Sequence, residues 1–297
     1  LFYSDLPASA AGLFTVNKMP AAPVILCKDV LKKENLVNAI IANSGNANCF
    51  NGANGLKDAN ETAKVLAKAL GLSRENVLVA STGIIGRKLQ INKIKSGIPK
   101  LIKGLSSQGI AGAKKAIMTT DTFAKEVTAR FEIEGKSVTL CGVAKGAGMI
   151  APDMATLLVF ILTDANVIRS VLKKSLMASV EKSFNSITVD GCMSTNDSVI
   201  LLANAAAGNV KISGGKAAKI FNQALETVCI ELAKMIVRDG EGASKFIQIK
   251  VSEAKDFNQA RKAALTIANS NLFKTAIYGE NPNFGRIVAA IGASGVD

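Results

Sequence analysis

Apolar residues follow two spacings along the chain, and each spacing predicts its own kind of element. Apolar runs of strand length occur at residues 37–43, 77–80, 157–162 and 199–206. Apolar residues spaced to form one face of a helix occur at residues 57–72, 91–105, 165–184, 216–237 and 256–268. Residues 127–143 alternate between apolar and polar and turn at Glu134 and Gly135, which predicts a β-hairpin. Strands and helices therefore interleave over the whole length.

Three shorter stretches also predict strands. One strand should lead into the polar turn at residues 116–121, and two others should cover residues 187–189 and 245–251. Interleaved elements of this kind predict an α/β (α+β) fold in which helices cover the sheets. The hairpin excludes an all-parallel sheet. The chain also lacks a P-loop and a G-x-G-x-x-G sequence opening a helix after the first strand, so a doubly wound nucleotide-binding fold is not predicted.

A glycine-rich loop precedes the apolar run at residues 157–162. Gly146 and Gly148 give this loop conformational freedom, and Ala155 and Thr156 stand where the loop enters the predicted strand. A hydroxyl held at a strand start beside such a loop is a candidate nucleophile. The alternative is an ordinary strand threonine, since β-branched residues favour strands.

The composition narrows the chemistry available to such a nucleophile, because the chain contains no histidine. Ser-His-Asp and Cys-His catalysis are therefore excluded, as are most zinc sites. The general base of an acyl transfer would have to be a lysine, a carboxylate or an α-amino group exposed by chain cleavage. An N-terminal threonine carries nucleophile and base in one residue, and its α-amine titrates at a pH of about 8.

The net charge of +13 allows two interpretations. A basic surface could bind nucleic acid or attract acidic substrates, or the lysines could simply solvate helix faces. The chain has no block of five like charges. It has two tyrosines and no tryptophan, so it offers few aromatic platforms on which bases could stack. The second interpretation is favoured, and no nucleic-acid partner is predicted.

The cysteines and the hydropathy of the chain predict where in the cell the protein is found. The five cysteines include no C-x-x-C pair, which indicates structural thiols in a reducing cytosol. No apolar segment reaches the roughly 18 residues that span a bilayer, so no membrane contact is expected. The chain starts at Leu1 without a signal-peptide pattern, and we expect it to begin inside a longer sequence.

Seven segments, in order along the chain, carry a family resemblance. They are residues 43–48 (NSGNAN), 81–83 (STG), 118–122 (MTTDT), 145–156 (KGAGMIAPDMAT), 188–197 (TVDG with STND), 237–242 (VRDGEG) and 274–286 (KTAIYGE with PNFGR). With these segments the chain resembles the ornithine acetyltransferase (glutamate N-acetyltransferase) family of arginine biosynthesis.

The resemblance implies that the chain cleaves itself between Ala155 and Thr156, giving an α chain of residues 1–155 and a β chain of residues 156–297. The new N-terminal threonine would take an acetyl group from N2-acetylornithine, release ornithine and pass the acetyl group to glutamate. The implied fold is an αββα sandwich similar to that of N-terminal-nucleophile hydrolases but with different connectivity. The implied assembly is α2β2 or larger, without a metal or cofactor; whether acetyl-CoA is a second donor stays open.

Site roles follow from the resemblance position by position. Thr156 would be the nucleophile, with the Thr82 hydroxyl and the Gly83 N–H group forming an oxyanion hole. Lys145 would contact the substrate, and Glu241 would contact its cationic amine.

Other site features are implied less directly. Thr119 and Thr120 both match a substrate-contacting threonine, and the sequence does not choose between them. Scaffolding roles are expected of Asn185, Asp190, Asn196 and Asp197. The family also continues past Asp297, with a tail that adds an asparagine and a Ser/Thr to the substrate site.

Two other functions remain as alternatives. One is a hydrolase or aminopeptidase on a related self-cleaving scaffold, in which water replaces glutamate as the acceptor. The other is a basic binding module for nucleic acid, whose affinity would fall steeply with salt.

Overall fold

A computed structural model describes residues 1–151 and 157–296, and its strands and helices interleave. The strands are β1 (Phe2–Phe14), β2 (Val37–Asn43), β3 (Val77–Ser81), β4 (Lys125–Ile133), β5 (Lys136–Lys145), β6 (Leu158–Thr163) and β7 (Ser198–Ala203). The helices are α1 (Ala22–Lys32), α2 (Gly52–Leu70), α3 (Ile91–Lys103), α4 (Ile110–Ala116), α5 (Arg169–Lys182), α6 (Gly215–Arg238), α7 (Phe257–Asn269), α8 (Asn271–Tyr278) and α9 (Phe284–Gly292).

The seven strands are hydrogen-bonded in the order β3-β2-β1-β7-β6-β5-β4. The long strand β1 belongs to two halves of this sheet. Its first part pairs antiparallel with β2, with a register shift between Tyr3 and Ala8, and its second part pairs antiparallel with β7 from Ser9 to Phe14. The pairs β2–β3 and β6–β7 are parallel, so the sheet is mixed, as the hairpin required.

Side-chain alternation shows that the two halves of the sheet face each other. Ile40 of β2 and Leu78 of β3 lie in one buried cluster with Phe160 of β6 and Ile200 of β7. The rings of Phe2 and Phe160 are 5.0 Å apart across this inner core. Because successive strand residues point to opposite faces, the neighbours of these residues must pack outward.

The outward faces are covered by helices. Ala39 and Val77 pack with residues of α2 and α3, and Val159 and Leu201 pack with residues of α5 and α6. The order of layers is therefore helices, half-sheet, half-sheet, helices. This confirms the α/β class and the αββα sandwich. Strands β6 and β7 are buried on both faces, which explains their continuous apolar sequences.

Most of the predicted elements are present. The hairpin is confirmed: β4 ends at Ile133 and β5 begins at Lys136, and Glu134 (φ +47°) and Gly135 (φ +75°) form the two-residue turn. Helix α2 begins five residues before its predicted start, and it ends where Gly71 takes a left-handed conformation (φ +68°).

Three predicted strands were wrong. The segment before the 116–121 turn is the short helix α4. Residues 187–189 pass beside Ile150, whose carbonyl accepts hydrogen bonds from the N–H groups of Val189, Asp190 and Gly191. Residues 245–251 alternate like a strand, but they pair with no strand in the described part of the chain.

Membrane-spanning helices and metal sites can be sought only among the described residues. There, no helix is both long and apolar enough to cross a membrane. The same residues contain no group of three or more Cys, Asp or Glu side chains placed to hold a metal ion.

Candidate active site

The end of β5 meets the turn after β3 through a buried contact. Lys145 is the last residue of β5, and its Nζ donates a hydrogen bond to Thr82 Oγ1 at 3.1 Å. Both residues are 2% exposed. Burial lowers the pKa of the Lys145 ammonium, and the carboxylates of Asp121, Asp197 and Glu241 oppose that shift. Because an ammonium has only donors, the Thr82 oxygen accepts here and its own hydrogen stays available to another acceptor.

Gly83 follows Thr82 in a conformation that only glycine adopts without strain. Its φ is +130°, and a Cβ built on it would lie 2.3 Å from the Gly45 carbonyl carbon and 2.4 Å from the Asn46 nitrogen. The turn therefore packs directly against the backbone of the 43–48 loop, while Gly83 itself is exposed. The family resemblance predicts an oxyanion hole here; the fold places Thr82 against Lys145, with Gly83 next along the chain.

Glu241 lies against the glycine-rich loop. Its N–H donates to the Ala147 carbonyl at 2.9 Å, and a Cβ on Gly148 would stand 2.5 Å from the Glu241 carboxyl carbon. Glycine at position 148 is therefore what allows the carboxylate to approach the loop. Thr120 Oγ1 donates to Glu241 Oε1 at 2.5 Å.

The two candidate threonines take different positions. Thr120 places its hydroxyl on Glu241, whereas Thr119 donates its backbone N–H to Asp121 Oδ2 at 3.1 Å. Of the two side chains, that of Thr120 therefore contacts another candidate site residue, Glu241.

Ala155 and Thr156 lie outside the described residues, but the chain directly after them is fixed. The Leu157 N–H donates to Asp197 Oδ1 at 2.8 Å, and Leu158 pairs with Lys145 in the sheet. Asp197 is fully buried, and its Oδ2 has no hydrogen-bond partner within the described ranges. Burial raises the pKa of this carboxyl well above its usual range.

A model of the ArgJ family matches residues 1–297. The chain belongs to the ArgJ family. The arginine biosynthesis bifunctional protein ArgJ of Caldanaerobacter subterraneus subsp. tengcongensis is 49% identical over 298 residues, covering 100% of this chain and 74% of that protein. The glutamate N-acetyltransferase of Methanocaldococcus jannaschii is 48% identical over 301 residues, with 100% and 74% covered.

A solved structure of ornithine acetyltransferase from Mycobacterium tuberculosis, in complex with ornithine, is also similar. Its sequence identity is 32%, the match covers 52% of this chain and 80% of that chain, and the TM-score is 0.44. The family resemblance inferred from seven short segments extends over the whole chain, because the ArgJ family model matches residues 1–297.

The polar side chains expected to be scaffolding form hydrogen bonds with neighbouring loops and turns. Asn196 Nδ2 donates to the carbonyls of Ala47 (2.6 Å) and Ser81 (2.8 Å) and so joins the 43–48 loop to the end of β3. Asp190 accepts from the N–H groups of Met149 and Ile150 at 2.6 and 3.0 Å. Asn185 donates to Glu181 Oε2 at 2.9 Å and so joins the turn after α5 to the end of that helix.

Sequence reasoning missed one group of buried charges beside these residues. Lys125 Nζ lies 2.7 Å from Asp121 Oδ1 and 2.5 Å from Asp239 Oδ2, and Lys125 and Asp121 have fully buried side chains. The two aspartates fall inside segments that carried the resemblance, but Lys125 resembled any other lysine at the start of a strand. No local pattern marks a lysine whose partner lies 114 positions away.

Proposed function

We propose that this chain is a self-cleaving acetyltransferase that moves an acetyl group from N2-acetylornithine to glutamate through an acetyl-Thr156 intermediate. One observation carries the proposal. The residue after Thr156 is anchored by Asp197 and leads into β6 beside Lys145, which itself contacts the Thr82–Gly83 turn. The names and the high identity of the ArgJ and glutamate N-acetyltransferase relatives support the same activity.

Self-cleavage would begin with attack of the Thr156 hydroxyl oxygen on the Ala155 carbonyl carbon. The peptide C–N bond breaks as the acyl group moves from nitrogen to oxygen, and water then hydrolyses the resulting ester. The products are the Ala155 carboxylate and a Thr156 with a free α-amine and a free hydroxyl. This amine supplies the general base in a chain that contains no histidine.

Acetyl transfer would then proceed in two half-reactions. The α-amine takes the hydroxyl proton as Thr156 attacks the acetyl carbonyl of acetylornithine. The C–N bond to ornithine breaks, the proton passes to the leaving amine, and acetyl-Thr156 remains. The amine of glutamate attacks this ester, N-acetylglutamate leaves, and the threonine hydroxyl is restored.

The surrounding side chains have assigned roles in this mechanism. The developing oxyanion would accept hydrogen bonds from the Thr82 hydroxyl and the Gly83 N–H group. One such donor typically contributes about 2.7–4 kcal/mol to transition-state stabilisation. Lys145 holds the Thr82 oxygen as an acceptor, which favours donation by the Thr82 hydrogen. The Glu241 carboxylate, with Thr120, would bind the cationic amine of the substrate.

The proposal extends to assembly and location. We expect the cleaved chains to form α2β2 or a larger complex in the cytoplasm, without a metal or cofactor. An assay with acetyl-CoA must decide whether it is a second donor. The identities do not decide it, because a relative named bifunctional ArgJ and one named glutamate N-acetyltransferase match this chain at 49% and 48%.

The test is intact-mass analysis of the natural full-length protein together with an acetyl-transfer assay. Wild-type protein should give two chains separated between Ala155 and Thr156, and Thr156→Ala should give one inactive chain. Ornithine release from acetylornithine should depend on glutamate; release at the same rate without glutamate would favour the hydrolase. A wild-type protein that stays in one piece and still transfers acetyl groups would refute the mechanism.

A further inference from the structure

We infer that Lys125, Asp121 and Asp239, here named the Lys125 cluster, position the three loops of the proposed acetyl-transfer site. The inference rests on the proposed function. The loops are residues 118–122, residues 146–151 of the glycine-rich segment after Lys145, and the turn at residues 239–242 after α6. Each loop contains a candidate substrate-binding residue or directly follows one. Each loop also has a backbone or side-chain group that takes part in the hydrogen bonds of the cluster.

Asp121 ties together the first two loops. Its Oδ1 accepts from Lys125 Nζ at 2.7 Å and also from the Gly146 N–H at 2.7 Å. Its Oδ2 accepts from the Thr119 N–H at 3.1 Å. Gly146 directly follows Lys145, so a single carboxylate fixes the backbone beside Lys145 and beside Thr120.

Asp239 ties the third loop to the first. Its Oδ2 accepts from Lys125 Nζ at 2.5 Å, and both of its oxygens accept from the Thr122 N–H at 3.1 Å. The Thr122 hydroxyl also donates to Asp239 Oδ1. Glu241 follows two residues later, so the end of α6 and the carboxylate proposed to bind the substrate are fixed relative to Thr120.

Energetics favour positioning over stability as the purpose of the cluster. Taking charges out of water costs several kcal/mol per ion, and apolar replacements of buried ion pairs are often as stable. Burial acts to raise the pKa of the Asp121 carboxyl, but the hydrogen bonds from Lys125, Gly146 and Thr119 outweigh it and lower that pKa. The carboxylate therefore stays ionised at neutral pH and holds the N–H groups of Gly146, which is buried, and of Thr119, which lies at the surface.

Two single variants test the cluster in the natural full-length enzyme. Lys125→Met removes the central cation at similar side-chain length, and Asp239→Asn removes one carboxylate charge. The matched control is Lys114→Met, because Lys114 also pairs with a carboxylate at the start of β4 (Glu126, 2.6 Å) and this pair is about one-quarter exposed. Rates are normalised to the amount of chain that begins at Thr156, counted by mass spectrometry.

We expect both cluster variants to raise KM for acetylornithine and to lower kcat/KM on the order of 10- to 100-fold, because displacements of about 1 Å have such effects. Lys114→Met should stay within about twofold of wild type, since the Lys114 side chain hydrogen-bonds to Glu126 and, among the described residues, to none of the three loops. A purely structural role would lower the melting temperature and leave KM unchanged. That result in either folded variant would overturn the inference.

A double variant covers the case in which the single variants fail to fold. Lys125→Met combined with Asp239→Asn removes one charge of each sign and leaves the net charge of the cluster unchanged. It should fold and show the raised KM. Failure of all three to fold would also count against the inference, because the cluster would then hold the fold rather than the site. Loss of transfer in the wild type would instead refute the proposed function.

Discussion

At the scale of single residues, Gly83 allows the clearest test of the oxyanion hole. Gly83→Ala introduces a Cβ within 2.3 Å of the Gly45 backbone, which cannot yield as a flexible side chain would. The Thr82–Gly83 turn must then shift, and its donors leave the position that they are proposed to occupy in the transition state. We expect kcat to fall on the order of 10²- to 10³-fold, the usual effect of losing one oxyanion donor.

The control for this variant lies three residues further along the chain. Gly86 also has a positive φ (+79°), but a Cβ there would meet nothing within 4 Å. Gly86→Ala therefore carries the same kind of backbone strain, about 1–2 kcal/mol, without the clash. It should lower the melting temperature while kcat stays near the wild-type value. Equal losses of kcat in the two variants would argue against the oxyanion role.

Lys145 should set the alkaline limb of the pH profile of kcat/KM, and the position of this limb should depend on Asp121. Burial lowers the pKa of the Lys145 ammonium, and the charge of Asp121 is the largest influence that opposes this shift; Asp197 and Glu241 also oppose it, and Lys125 adds to it. The contact with Thr82 requires the protonated form, so kcat/KM should fall as Lys145 loses its proton, below the usual lysine pKa of about 10.4.

Asp121→Asn should move this alkaline limb to lower pH, because it removes the largest opposing charge. The acid limb belongs to the α-amine of Thr156 in the proposed mechanism and should stay in place. The measurement is the pH profile of kcat/KM for acetylornithine in wild type and variant. A variant whose two limbs coincide with those of the wild type would show that Lys145 does not set the alkaline one.

At the scale of elements, the strands and helices that were predicted correctly are those with a regular pattern of apolar residues. The hairpin β4–β5 and helices α2, α5, α6 and α7 carry a regular apolar face, and all were predicted. Strand β1 was missed because its exposure pattern is irregular: it changes partner from β2 to β7 part-way along and has a register shift between Tyr3 and Ala8. Residues 245–251 show the reverse case, since an alternating pattern makes no strand without a partner.

In the candidate site, too, residues in short sequence segments could be predicted, whereas contacts between residues far apart in the sequence could not. Thr82, Gly83, Lys145 and Glu241 could be named because each lies in a short segment that matches a family. The sequence did not choose between Thr119 and Thr120, because that choice depends on which side chain faces Glu241, a residue 121 positions from Thr120. The Lys125 cluster was missed for the same reason.

At the scale of the whole molecule, the proposed cleavage divides the chain but not the sheet. Residues 1–155 contain β1 to β5, and residues 156–297 contain β6 and β7. Strand β7 pairs with β1, and β6 pairs with β5, each over six residue pairs. The inner core also mixes the two parts, since Phe2 packs on Phe160. The two chains that the proposed cleavage would give would therefore share a sheet and a core.

We therefore predict that the two chains stay together after cleavage until the fold itself is lost. Size-exclusion chromatography of wild-type protein should give one species containing both chains, at the elution volume of the uncleaved Thr156→Ala protein. The same species should persist at 1 M salt, where charges are screened beyond about 3 Å, because strand pairing and apolar packing hold the chains together. Denaturant should separate them in the same transition that abolishes the circular dichroism signal. Separation in native buffer would mean that the strands of the two chains do not share one sheet.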